Sequence, residues 1–165
     1  MRNELEHGLK SFIELALEAA SMPPITVRAA SGATKIPEAE PTIVCSVPDA
    51  PHVVGTLGHA NALVWLVSPH TDDYEPKHRQ FNRFLRDVLA PPIPPNLGPN
   101  AAHISQCILA ATDGEYSSRG YHLEGYDSEI TNDRQISEIK LLIGICRYDP
   151  SPLLPDGPVI LTPAN

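Results

Sequence analysis

Aromatic side chains are scarce in this chain, with three Phe, five Tyr and one Trp among 165 residues. That leaves no extended platform on which bases or sugar rings could stack. Clustered positive charge is also missing. Twelve Lys and Arg stand against 20 Asp and Glu, a net charge of −8, and no basic run occurs. Neither phosphate neutralisation nor attraction to an anionic membrane surface therefore has a source. Cys45, Cys107 and Cys146 are odd in number and far apart within apolar segments. This is the pattern of small buried hydrophobes in a reducing compartment, not of a disulfide framework. No apolar run approaches the roughly 18 residues of a membrane span, and the opening MRNELEHGLKSF lacks secretory-signal character. A soluble protein made in a cytoplasm is the expectation.

Catalytic and metal-binding devices are equally thin. There is no GxSxG elbow, no phosphate-binding loop and no DxDxDG calcium loop. Seven histidines invite a metal reading. Yet His52 and His59, or His70 and His78, lack the i, i+2 or i, i+4 spacing of common zinc sites, and no cysteine pair accompanies them. Ordinary surface or interface histidines are the simpler reading. Ser68, His70 and Asp72 carry the residue types of a hydrolytic triad. They are too close together on one strand exit to converge, because triads draw on separate segments. Asp113, Glu115, Glu124, Asp127, Glu129 and Asp133 make an acidic zone. Neither apolar surroundings that would raise a carboxyl pKa nor a sugar platform goes with it. No catalytic residue, no metal ligand and no cofactor is assigned.

Proline is what the chain has in excess. Its 18 prolines are roughly twice the usual share, and all but Pro69 and Pro76 cluster at Pro23–Pro24, Pro37 to Pro51, Pro91 to Pro99 and Pro150 to Pro163. The intervals between them carry the regular structure. Residues 3 to 20 repeat apolar residues at helical spacing (Leu5, Leu9, Phe12, Ile13, Ala16, Leu17, Ala20), with Asn3 as the expected cap and Glu6 as its capping-box partner. Gly8 weakens this helix slightly. Residues 25 to 29 and 42 to 47 read as strands. The run ALVWLVS, 62 to 68, is apolar on both faces and reads as a central strand. A second helix spans about 75 to 89, with Phe81, Phe84, Leu85, Val88 and Leu89 on one face. For AHISQCILAAT, which follows the proline-rich stretch at 90 to 100, strand is favoured over short helix.

The most informative stretch is Gly120 to Tyr148. Turn residues cluster at Asp127 to Asp133, and Ile139, Leu141, Ile143 and Ile145 then alternate on one face of a long strand. Leu142 and Cys146 keep its other face partly apolar, so covering on both sides is expected. Tyr121 and Tyr126 are candidate half-buried interface anchors, since aromatics are enriched at interfaces. Asp127 and Glu129 are the acidic candidates for a surface facing a symmetric neighbour or a channel. The last segment, DPSPLLPDGPVILTPAN, has too many prolines for a helix, yet it carries Leu153, Leu154, Val159, Ile160 and Leu161. Apolar residues of this kind are a liability if left wet, so docking on a partner is favoured, with packing back on the parent domain and disorder as the alternatives. The chain thus divides into one domain, 1–148, and an extended arm, 149–165. At this length about 70% of the unfolded chain's surface can be buried.

The order of elements resembles the tail terminator (tail completion or neck) proteins of long-tailed bacteriophages. The resemblance runs over residues 3 to 148: an amphipathic helix, the strands TIVCSVP and NALVWLVSP, the helix PKHRQFNRFLRDVLA and the closing GYHLEGYDSEITNDRQISEIKLLIGICRY. It implies an α/β (α+β) fold, with a mixed, mainly antiparallel sheet carrying two helices. It also implies a hexameric ring in the virion, assembled in the host cytoplasm, that ends the tail tube and meets the head–tail connector or neck proteins, with the tail sheath as a further partner. DNA passes through such a ring only as cargo, and no membrane is involved. An acidic lumen would not hold it. The proline-rich stretch at 90 to 100 and the arm depart from the family layout. Three alternatives stand beside this reading: a head-completion or stopper protein of the same neck, a small cytoplasmic hydrolase, and a monomeric binding module.

Overall fold

Alternating burial along one strand organises the molecule. In a computed structural model describing residues 1–32, 39–90 and 99–148, Ile139, Leu141, Ile143 and Ile145 are all at most 1% exposed, while the residues between them are half-exposed. They belong to β6 (Arg134–Arg147), which is flanked on both sides by long antiparallel partners, β4 (Leu57–Pro69) and β5 (Tyr116–Ile130). Beyond β4 lie β2 (Thr42–Ser46) and, parallel to it, β1 (Thr26–Ala29). A short strand, β3 (His52–Val54), folds back on the start of β4. The sheet is therefore mixed but mainly antiparallel, in the order β1-β2-β4-β6-β5.

Three helices among the described residues supply the second layer: α1 (Arg2–Ala19), α2 (Glu75–Val88) and α3 (Pro99–Ala111). Their apolar faces meet the odd residues of β6 and the even residues of β4, with Phe12, Ile13, Phe81, Leu85, Ile104 and Ile108 all at most 2% exposed. The third helix corrects the strand favoured for the segment from 101. Ile104, Cys107 and Ile108 recur at i, i+3 and i+4, a helical stripe that the preceding prolines obscure. Covering on both sides of β6 is also corrected. The helices share one face of the sheet, and its reverse carries side chains such as Leu63, Trp65 and Leu142 at intermediate exposure.

Local details differ from the sequence reading in instructive ways. The start of α1 has no side-chain cap from Asn3, which lies inside the helix. Glu6 is fully buried instead of closing a capping box. The turn expected at Asp127 to Asp133 shrinks to its last residues: Thr131 N–H bonds Arg134 C=O at 2.8 Å, and β5 runs on through Asp127 and Glu129 to Ile130. The connection before residue 62 is partly sheet, because β4 begins at Leu57 and β3 pairs with it across a turn where Gly55 takes a positive φ of 65°.

Candidate interaction surface

Long antiparallel strands put their two ends far apart. Gln135 and Cys146 bracket most of β6, so about 37 Å separates the ends of the β4–β6–β5 ribbon at roughly 3.4 Å per residue. The large exposed hydrophobic side chains of the sheet collect at those two ends. At one end Val54 is 69% and Leu57 49% exposed, and Leu57 pairs with Cys146. At the other, Ile130 is 66% exposed and pairs with Gln135. Between them β5 is the sheet's outer strand. Two irregularities, at Ser118/Gly120 and Leu123/Gly125, together with exposed Glu124, Asp127 and Glu129, blunt it against edge-to-edge pairing.

The Ile130 end is a braced structure. Tyr126 lies on the helix side of β5, and the Arg86 guanidinium of α2 stands over its ring at 4.4 Å from the centroid. On the reverse side, Lys140 reaches Glu138 at 3.2 Å and Asp127 at 3.9 Å, and Glu138 accepts the indole N–H of Trp65. His70 stitches the exit of β4 to the turn: its backbone N–H bonds Asp133 C=O at 3.0 Å, and its ring Nδ1 donates to Thr131 C=O at 3.1 Å. Tyr126, Asp127 and Glu129 are all exposed toward this end of the ribbon.

Tyr121 is a different case. It is 4% exposed within the core, and its hydroxyl donates to Ala90 C=O at 3.1 Å, tying β5 to the end of α2. Burial also pushes its phenol pKa up. It is a packing residue and not a half-buried interface anchor, because it falls on the helix-facing side of β5 opposite Ile143. Leu153, Leu154, Val159, Ile160 and Leu161 lie outside the described residues.

The serine and histidines with candidate chemistry are arranged for packing. Ser68 does not converge with His70 and Asp72. Its hydroxyl instead meets Nδ1 of His78 at 2.7 Å, and Nε2 of His78 meets the Ser137 hydroxyl at 2.9 Å. Ser68, His78 and Ser137 are 2%, 6% and 6% exposed. Burial drives the His78 pKa down to about 4, so the ring is neutral at pH 7. This buried chain ties α2 to β4 and β6. It corrects the surface reading of His78, and the sequence carries a signal for it: His78 precedes Phe81 and Leu85 by three and seven positions on one helical stripe. His52 and His59 do meet, as a cross-strand pair with ring centroids 5.4 Å apart. Among the described residues no group of three or more His, Cys, Asp or Glu is placed to hold a metal ion. No helix among them is long and apolar enough to cross a membrane.

The helix layer has a surface feature that the sequence reading missed. α1, α3 and the end of α2 leave an open trough of about 1170 Å³ between them. Its walls include Leu15, Ala16, Ala19, Val88, Cys107 and Ala110, and among the described residues no Asp, Glu, Lys or Arg lines it. Leu15 is 56% exposed there. Alanines at helical spacing are the available sign, since they read as interior stripe but are too small to fill it. Comparison of the sequence with protein-family models and with curated proteins finds no match.

Proposed function

We propose that this chain is a ring-forming structural protein of a bacteriophage neck, acting as the tail terminator that ends the tube and meets the head connector. The observation that carries this reading is the placement of Val54 and Leu57 at one end of the ribbon and of Ile130 at the other. A ring closes through heterologous contacts, in which two different patches on each subunit complement one another. Two dissimilar apolar patches at opposite ends of a stiff ribbon supply such a pair. The braced, acidic surface around Asp127 and Glu129 suits a wall past which DNA must slide, since like charge prevents adhesion. The head-completion or stopper reading uses the same ring chemistry. The hydrolase alternative loses its candidate nucleophile, because the Ser68 hydroxyl is held in the interior against His78.

The test is solution mass, by light scattering at two concentrations, for the native chain, Val54→Asp and Ile130→Asp. The native chain is expected to form closed oligomers, on its own or when tail-tube protein is added. Each single variant is expected to stay monomeric. Mixing the two variants should give a 1:1 dimer and nothing larger, because only one intact pair of patches remains. A native chain that stays monomeric with tail-tube protein present would overturn the ring assignment.

A further inference from the structure

We propose that the apolar trough on the helix layer is the docking site of the chain's own C-terminal arm, with residues 153–161 lying along α1 and α3. The inference stands apart from the ring assignment, since it concerns what covers one subunit's helices.

Position comes first. The described chain ends at Tyr148, whose backbone N–H bonds Glu115 C=O at 2.7 Å. Glu115 lies four residues past Ala111, which closes α3 and lines the trough. The arm therefore sets out beside one end of the trough. α1 and α3 run antiparallel, because Met1 and Glu4 border Ala111 and Thr112 while Gly8 faces Ile108. The trough accordingly extends from His7 and Ala111 toward Ala20 and His103, about 20 Å along α1 at 1.5 Å per residue.

Length and composition then fit. An extended chain advances about 3.1 Å per residue, so the 17 residues after Tyr148 reach well past the far end. Leu153 falls about 15 Å from the tether and Ile160 about 22 Å further on, on the same scale. With residues 149–152 as the tether to the near end, the separation of the two apolar groups, Leu153–Leu154 and Val159–Leu161, is close to the length of the trough. Charge agrees as well. The arm's ionisable side chains are Asp149 and Asp156, and a trough whose described walls hold no carboxylate does not repel them. Its rim offers His7 and His103. Prolines between the apolar groups reduce the conformational entropy lost on docking. The short tether makes docking intramolecular, at a high effective concentration.

Cys107 lines the trough at 9% exposure, while Cys45 is fully buried in the core. In the full-length chain, Leu153→Asp/Leu154→Asp and, separately, Val159→Asp/Ile160→Asp are introduced, and maleimide labelling is followed by peptide mass spectrometry. Labelling of Cys107 is expected to rise about tenfold in each variant, with Cys45 unchanged. An unchanged Cys107 rate, or parallel acceleration of Cys45, overturns the assignment. A further variant, Leu154→Cys, locates the arm directly. Mild oxidation should join the introduced thiol to Cys107 in a species of monomer mass. A disulfide-linked dimer, or no bond to Cys107, overturns docking within one chain. Neither result depends on whether rings form.

Discussion

The carboxylate of Glu6, on the first helix, accepts the backbone N–H of Val47 at 2.9 Å, 41 residues away in sequence. Its other oxygen accepts the N–H of Ser31 at 2.8 Å. One buried side chain thus satisfies the backbone where β1 and β2 leave the sheet, and Arg2 Nε stands 3.8 Å away as an ionic partner. An ionised acceptor of two N–H groups is stronger than a neutral one. Removing it leaves the buried N–H of Val47 without a partner, which costs roughly 1–3 kcal/mol, and turns the part-buried N–H of Ser31 toward water at a smaller cost. Glu6→Ala is expected to lower unfolding free energy by about 3 kcal/mol. Glu6→Gln should cost about 2 kcal/mol, because its amide turns a donor toward one of the two N–H groups. Urea unfolding followed by fluorescence of Trp65 measures both. A loss below about 0.5 kcal/mol in Glu6→Ala would show that this carboxylate is dispensable.

A second prediction sets propensity against packing. Gly8 lies in the interior of α1, where Ala is preferred by about 1 kcal/mol. A Cβ placed there would stand 2.9 Å from the Cα of Ile108. The obstacle is backbone of α3 and cannot rotate away, so the helices must separate. Gly8→Ala is expected to destabilise by about 1–3 kcal/mol despite its better helix propensity. A stabilised Gly8→Ala protein in the same urea titration would show that α1 and α3 do not approach this closely.

Gly8 and Glu6 mark where sequence reasoning stops. Periodicity exposes the alternating burial of β6 and the apolar faces of α1 and α2, because burial on one side of an element repeats with that element's own period. It presents Gly8 only as a helix-weakening residue and Glu6 only as a capping partner. What those two residues do depends on Ser31, Val47 and Ile108, in other elements far along the chain, and no local pattern encodes such a contact. Tyr121 and Tyr126 illustrate the same limit within one strand. The irregularity between Leu123 and Gly125 resets the alternation, so both rings fall on the helix side, Tyr121 buried in the core and Tyr126 exposed under Arg86. The ribbon-end patches are half legible: Asp127 and Glu129 stand out in the sequence, while Val54, Leu57 and Ile130 look like isolated apolar residues until the register sets them at opposite ends.

The last prediction concerns pH. His78 bridges two serine hydroxyls while neutral, with one ring nitrogen donating and the other accepting. Protonation would make both nitrogens donors and place a charge in the interior. The folded-state pKa, held at about 4 by burial, lies below the unfolded value of about 6.5. Between those values the unfolded chain binds the extra proton, so unfolding free energy rises with pH through that window. The contribution is fully present above about pH 6.5, declines as pH falls toward 4 and then levels off. The size is on the order of 3 kcal/mol at most, at 1.36 kcal/mol per pKa unit. His78→Gln keeps an amide donor and acceptor in the site but does not titrate. Urea unfolding of both proteins at half-unit steps from pH 7.5 to 4 isolates the effect as the difference between two curves. The gap should shrink as pH falls from 6.5, with the native histidine losing its advantage. A constant gap across the range would mean that His78 accepts its proton in the folded protein as easily as in the unfolded chain, and that the bridge between α2 and the sheet opens at no cost.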